Sequence, residues 1–255
     1  MPKILILDIE TAPNIAFVWR FFKENVGAKQ VLDHASIMSY AYKWLDESDV
    51  HYDDVRFQSE DSLLKGLVDA LDVADLVIAH NGARFDLPTI AGRALVHGIK
   101  PPSPYKIIDT LLVARSEFNF PSNSLEYLAK VLECTPKGGH KNFPGFELWL
   151  ECLRGNIEAW DEMRHYNIQD VTTLEEIYLK MRPYIKNHPN VAVYDQVDDR
   201  PHCPKCGSDH VQSRGYVMTN VFKFRKFQCQ SCGGWSRTRI SEPNEYRHAL
   251  LVNTG

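Results

Sequence analysis

Two carboxylates stand one residue apart in the run Leu7-Asp8-Ile9-Glu10-Thr11, and further on come Asp86, Asp170 and two C-x-x-C pairs, Cys203/Cys206 and Cys229/Cys232. In an extended strand, residues two apart point to the same face, so Asp8 and Glu10 present two negative charges side by side. Like charges held together raise each other's pKa unless a cation joins them, and a divalent metal ion is the simplest resolution. Taken alone, D-x-E also describes an ordinary polar strand end, and Asp86 an ordinary helix cap, so the reading depends on the company they keep. Tyr166 and Asp170 are four apart in a helical stretch and share a face, which puts a phenol and a carboxylate in one cleft. The cysteine pairs are separated by 22 residues, a spacing specific to a zinc ribbon. Four thiolates close a tetrahedron and leave no open coordination position, so one Zn²⁺ held there is structural.

These side chains need elements to carry them. Residues 3–10 form an apolar run with polar residues at its end, the pattern of a buried strand that delivers carboxylates to a sheet edge. Further strands are expected at 37–45, 50–57 and 76–79. A helix is predicted over 61–71, where Leu63, Leu64, Leu67, Val68 and Leu71 recur at helical spacing, and another over 87–97. Between them, residues 78–86 pass from a strand end through a glycine turn into a helix, the kind of loop on which sites are built. Pro101, Pro102 and Pro104 make a rigid connection, and residues 109–182 read as helical except for a glycine-bearing loop at 136–145. Strands first and helices later imply an α/β domain with a mixed sheet flanked by helices. It is expected to span residues 1–195, ending after His188-Pro189-Asn190 breaks the last helix. A zinc ribbon over 200–240 and a tail over 241–255 complete the chain.

At 255 residues and 44% hydrophobic content, the chain can bury a full core and an appendage. It has no charged-then-apolar leader and no run of about 18 apolar residues, so it reads as soluble and intracellular with no membrane partner. Thiols paired at metal-ligand spacing agree with a reducing cytoplasm. The net charge of −4 conceals a division: residues 200–240 carry eight basic residues against Asp209 alone, a net of +7, while the first 199 residues hold −10.

In order along the chain, Asp8, Glu10, Asp86 and Asp170 resemble the signature of the DEDD exonucleases, a family with an RNase H-like fold that includes the proofreading domains of DNA polymerases. Asn81 and Phe85 match the H-N-x-x-x-F-D form of its second motif, seen in exonucleases similar to those of family B polymerases and in stand-alone phage enzymes. The third motif satisfies both branches of the family, since Tyr166 lies four before Asp170 and His165 five before it. Tyr-Asn-Ile-Gln-Asp-Val is the closer match, which favours the tyrosine branch. The resemblance covers roughly residues 3–182 and implies 3′-to-5′ hydrolysis of phosphodiesters with two Mg²⁺ or Mn²⁺ ions. By it, Asp8 would bridge both metals, Glu10 and Asp170 would complete the site that activates water, Asp86 would hold the second metal through water, and Tyr166 would orient the attacking water. Thr11 would meet the terminal nucleotide through its backbone, with Asn81 and Phe85 lining the same pocket; for Phe85, packing in the core is an equal expectation.

An acidic domain repels nucleic acid from most of its surface, so binding should concentrate at the metals and at a few basic segments. Lys137, His140 and Lys141, in the glycine-bearing loop, are candidates for gripping the strand. In the ribbon, Lys223, Arg225 and Lys226 alternate with Phe222, Phe224 and Phe227, which suits stacking on bases while neutralising phosphates. The same phenylalanines could instead fill the small core, and the ribbon could dock a replication or repair protein. DNA is the favoured substrate, acted on in the cytoplasm, which would be a host's if the chain is phage-encoded. An RNA 3′-end trimmer and a non-catalytic ribbon-bearing scaffold are the alternatives.

Overall fold

The structure, a computed structural model, describes residues 2–135, 142–194 and 198–252. Lys3–Tyr178 make one compact unit, and a second begins at Leu179.

The first unit is built on a sheet of five strands. β1 (Ile4–Thr11) lies at its centre, with β4 (Ile37–Trp44) and β5 (Val50–Asp54) on one side and β6 (Leu76–Ala79) and β7 (Lys106–Asp109) on the other, in the order β5-β4-β1-β6-β7. β4 runs antiparallel to β1 and β5 antiparallel to β4, while β1, β6 and β7 are parallel, so the sheet is mixed. A short antiparallel hairpin, β2 (Ile15–Ala16) with β3 (Val31–Asp33), is inserted between β1 and β4.

Helices α1 (Glu60–Asp72), α2 (Asp86–Val96), α3 (Thr110–Glu117), α4 (Leu125–Val131), α5 (Glu147–Leu153) and α6 (Ile157–Met181) complete the order. Alternation along β1 decides what each face meets. Leu5, Leu7 and Ile9 pack with Leu63, Leu67 and Leu71 of α1 and with Ile90 of α2 in one buried cluster. The opposite face, with Asp8 and Glu10, turns to α6. Lys43 of β4, itself buried, pairs with Glu175 of α6 and ties that helix to the sheet.

The strands expected at 37–45, 50–57 and 76–79 form, the second of them ending at Asp54, where Arg56 turns back to bond the Asp54 carboxylate at 2.9–3.1 Å. β7 was not expected, because Lys-Ile-Ile-Asp is too short to show a period and is strand only through its pairing with β6. No expectation covered the β2–β3 hairpin either, whose strands have two and three residues.

The second unit carries a three-stranded antiparallel sheet, β10 (Trp235–Arg237), β9 (Lys223–Cys229) and β8 (Val211–Met218). The β8–β9 register shifts between Ser213 and Tyr216, and Gly215 there has φ +82°, a left-handed conformation that glycine adopts without Cβ strain. Among the described residues, no helix is long and apolar enough to cross a membrane.

Candidate active site

Parallel pairing collects the site. Ile6 stands opposite Ile78 and Ala79 opposite Asp109, so the C-terminal ends of β1, β6 and β7 lie in a row. β1 brings Asp8 and Glu10 to that edge, the loop after β6 brings residues 80–86, and β7 brings Asp109. Between Glu10 and Thr11 the pairing with β4 slips by one residue, a bulge of the kind that re-aims side chains beside a site.

α6 supplies the rest. Asp8, Glu10 and Asp170 each offer a carboxylate oxygen, and the three atoms lie within 4.8 Å of one another. Oxygens that close around a hard cation of octahedral habit suit Mg²⁺ or Mn²⁺. Tyr166, one turn before Asp170, packs edge-on to Trp149 with ring centroids 6.2 Å apart and hydrogen-bonds the Asp170 side chain. Burial holds its hydroxyl far above the usual tyrosine range, and the charges of Asp170, Glu10 and Asp8 push it further, so it stays protonated. His165 is exposed, and its Nδ1 lies 2.6 Å from the Asp161 carbonyl on its own helix.

Asp86 does not join the three carboxylates at that spacing. It is 3% exposed and accepts a hydrogen bond of 3.2 Å from the backbone N–H of Ile9, the residue between Asp8 and Glu10. Burial raises its carboxyl from the ordinary 3.8 to about 7, against the pull of the Ile9 bond and with added repulsion from Asp109. A buried carboxylate that is costly to ionise is what a cation would relieve, so the donor set fits divalent metal binding.

The loop that precedes Asp86 is held by its backbone. Asn81 has φ +68°, a left-handed conformation that Asn tolerates better than most residues. The Asn81 carbonyl accepts from Arg84 N and Phe85 N at 3.1 and 3.0 Å. A Cβ at Gly82 would sit 2.3 Å from that of Ala79, so only glycine fits there. Phe85 is 42% exposed, which removes it from the core and leaves its ring at the loop surface. Thr11 closes β1 beside the bulge. Lys137, His140 and Lys141 lie outside the described residues.

Two residues that sequence reasoning missed position this site. Asn167 is fully buried on α6. Its Nδ2 donates to Asp8 Oδ2 at 2.6 Å and approaches the Asp8 carbonyl at 3.4 Å, while its Oδ1 accepts from Ser39 at 3.2 Å. Its place three before Asp170, on the same helix face, was the available signal. Asp109 caps α3 through Leu111 N and Leu112 N, and it also accepts from Asn81 N at 3.0 Å and Ala83 N at 3.1 Å, which pins the glycine turn. An Asp directly before a helical run was the trace it left in the sequence.

In the second unit the sulfurs of Cys203, Cys206, Cys229 and Cys232 all lie within 4.8 Å of one another, with Cys203–Cys232 and Cys206–Cys229 both at 3.6 Å. Zn–S bonds of about 2.3 Å give tetrahedron edges of about 3.8 Å, so the four sulfurs fit one zinc ion. Hydrogen bonding with the Cys206 thiol draws Cys203 down despite burial, while the same contact pushes Cys206 up. Backbone N–H groups of Cys232 and Gly234 point at Cys229 and Cys232 sulfurs at 3.5 and 3.4 Å.

The ribbon's cations meet its own rings. Lys223 Nζ is 4.0 Å and Arg225 Cζ 5.8 Å from the Tyr216 ring centre, Lys226 Nζ is 5.5 Å from that of Trp235, and Arg237 Cζ is 3.8 Å from that of buried Phe224. The three phenylalanines do not share one environment: Phe224 is core, whereas Phe222 is exposed.

The family model of the RNase_H superfamily matches residues 5–182. In structure, the chain is similar to the family B DNA polymerase from the hyperthermophilic archaeon Pyrobaculum calidifontis, with a TM-score of 0.52 and 14% identity. That match covers 72% of this chain but 26% of the polymerase, so the chain spans about a quarter of its length and the likeness is one of fold. No curated protein matches the chain in sequence.

Proposed function

Because the chain belongs to the RNase_H superfamily over residues 5–182, we propose that it is a metal-dependent 3′-to-5′ exonuclease of the DEDD type, acting on single-stranded or frayed DNA ends. The observation that carries this reading is the meeting of Asp8, Glu10 and Asp170 within 4.8 Å, with Asp86 bonded to the backbone between the first two. Asp8, Glu10 and Asp170 would hold two Mg²⁺ or Mn²⁺ ions, which when bound would neutralise charge on the scissile phosphate and lower the pKa of water. Asp86 would complete the negative set, and Asn167 keeps the Asp8 carboxylate in one orientation. Tyr166, whose hydroxyl is held above the usual tyrosine range by burial and by the neighbouring carboxylates, would orient the attacking water by hydrogen bonding. His165, exposed and bonded to its own helix, takes no part. Thr11, Asn81 and Phe85 lie on the segments that flank the carboxylates and would meet the terminal nucleotide. The ribbon, carrying Lys223, Arg225 and Lys226 on one strand, holds one structural Zn²⁺ and retains substrate or a replication partner.

The test is incubation with 5′-labelled single-stranded DNA, duplex DNA and RNA in Mg²⁺, Mn²⁺ or EDTA. A ladder of shortened products that EDTA abolishes is expected, strongest on single-stranded DNA; no ladder with any metal overturns the proposal. Tyr166→Phe should lower turnover far more than His165→Ala, and the reverse order would move the water-orienting role to His165.

A further inference from the structure

The β2–β3 hairpin, between Ile15 and Asp33, belongs to no part of the site described above, yet it exposes an unusual set of side chains. At its end the run Phe17-Val18-Trp19-Arg20-Phe21-Phe22-Lys23 leaves Phe17 69%, Trp19 94%, Phe21 94% and Phe22 84% exposed. Aromatic side chains bury about 150–250 Å² each when they pack, so four of them make an apolar surface beyond the few hundred Å² usual for a monomer.

This segment is built. The Glu24 carboxylate accepts from Trp19 N at 3.2 Å and from Arg20 N at 2.6 Å, and Gln30 donates to both Glu24 and the Phe17 carbonyl at 3.0 Å. Phe17 N bonds the Gln30 carbonyl at 2.9 Å. The backbone is thereby closed on itself while the rings face outward. The hairpin's one inner acid, Glu24, is engaged by amides, and Arg20, Lys23 and Lys29 are exposed in the same segment.

Its place in the chain supplies the occupant. β1 ends at Thr11 and β2 starts at Ile15, so the hairpin leaves the sheet at the edge that carries Asp8 and Glu10. Trp19 lies nine positions after Glu10, at most about 31 Å away along the chain, the rise of about nine stacked nucleotides. A strand whose 3′ end sits at the carboxylates can therefore reach the rings. Rings interleaved with cations are the chemistry that binds unpaired bases and their phosphates without regard to sequence. The −10 charge of the first 199 residues leaves such a patch as a place where a polyanion is gripped rather than repelled.

We propose that the 17–23 segment is a stacking platform for single-stranded nucleic acid upstream of the 3′ end held at the carboxylates. The inference rests on the nuclease reading for its orientation, and the experiment separates the two. Fluorescence anisotropy of labelled oligothymidylate and oligouridylate is measured with the full, zinc-loaded chain in buffer free of Mg²⁺ and Mn²⁺ and without chelator, where hydrolysis is not supported. Trp19→Ala should weaken binding about fivefold or more, the low end for one base–aromatic stack. Trp19→Ala/Phe21→Ala should weaken it further, Arg20→Glu/Lys23→Glu should flatten its salt dependence, and oligonucleotide should quench a fluorescence component that Trp19→Ala removes. Hydrolysis of p-nitrophenyl thymidine monophosphate by the wild-type protein, a substrate too short to reach the hairpin, reads the carboxylate site by itself. Failure there alone sinks the nuclease reading and leaves the platform standing. Unchanged oligonucleotide affinity in all three variants overturns the platform, as does loss of self-association in sedimentation in place of lost nucleic-acid binding.

Discussion

Replacing Asp86 by Asn should make the metal-free protein more stable, by an amount set by pH. Asp86 is buried, and its carboxyl is raised from 3.8 to about 7 in the folded chain, chiefly by burial and then by Asp109. Below about pH 4 the carboxyl is protonated in both folded and unfolded chains and costs nothing. Between about pH 4 and 7 the unfolded chain ionises and the folded chain does not, so the folded state binds more protons and stability falls as pH rises. Above about pH 7 the folded state bears the charge as well, and the loss levels off at about 4 kcal/mol, taking 1.36 kcal/mol per pH unit over the raised interval. Asp86→Asn removes this cost while keeping an acceptor for Ile9 N. For a unit of this size that is about 10 °C in Tm. Melts of wild type and variant, followed by far-UV circular dichroism in EDTA from acid to alkaline pH, measure the difference. The helices α1 to α6 report on residues 3–178. The variant's advantage should be near zero at pH 4 and full above pH 7, and Mg²⁺ should narrow it by stabilising wild type more. An advantage independent of pH would refute the assignment of the buried charge.

Asn167→Ala removes the 2.6 Å bond to Asp8 Oδ2. A hydrogen bond to a charged group contributes about 1.5–3 kcal/mol, so turnover should fall about 10- to 100-fold with a higher Mg²⁺ requirement; an unchanged Mg²⁺ titration would show that Asp8 needs no such support. Gly82→Ala forces a Cβ against Ala79 and should cost about 1–3 kcal/mol in denaturant melts, and an unchanged midpoint would mean that the turn relaxes freely. Cys232→Ser should abolish bound zinc by atomic absorption and lose the β8–β10 signal in amide exchange, with the melt of residues 3–178 retained. Retention of one zinc per chain would show that three thiolates suffice.

Much of the first unit was legible because its signals are local. The apolar run of residues 3–10 with its polar end marks β1, strand alternation puts Asp8 and Glu10 on one face, and the i, i+4 spacing of Tyr166 and Asp170 puts them on one face of α6. The mixed sheet flanked by helices followed from the order of such segments, and the C-x-x-C spacing announced four sulfurs before any geometry was known. What the sequence determined by itself was therefore which residues share a face and which elements carry them. Tertiary structure alone decided what those faces meet. Lys106–Asp109 is a strand because β6 offers it a free edge, and no four-residue pattern can encode an edge supplied from elsewhere. Asn167 grips Asp8 across 159 positions of sequence, and Asp86, the first residue of α2, accepts from Ile9 across 77, since each contact exists only once α6 and the 80–86 loop have docked on β1. No local pattern says which way the rings of 17–23 face, and only the closed hairpin that Glu24 and Gln30 hold leaves them exposed.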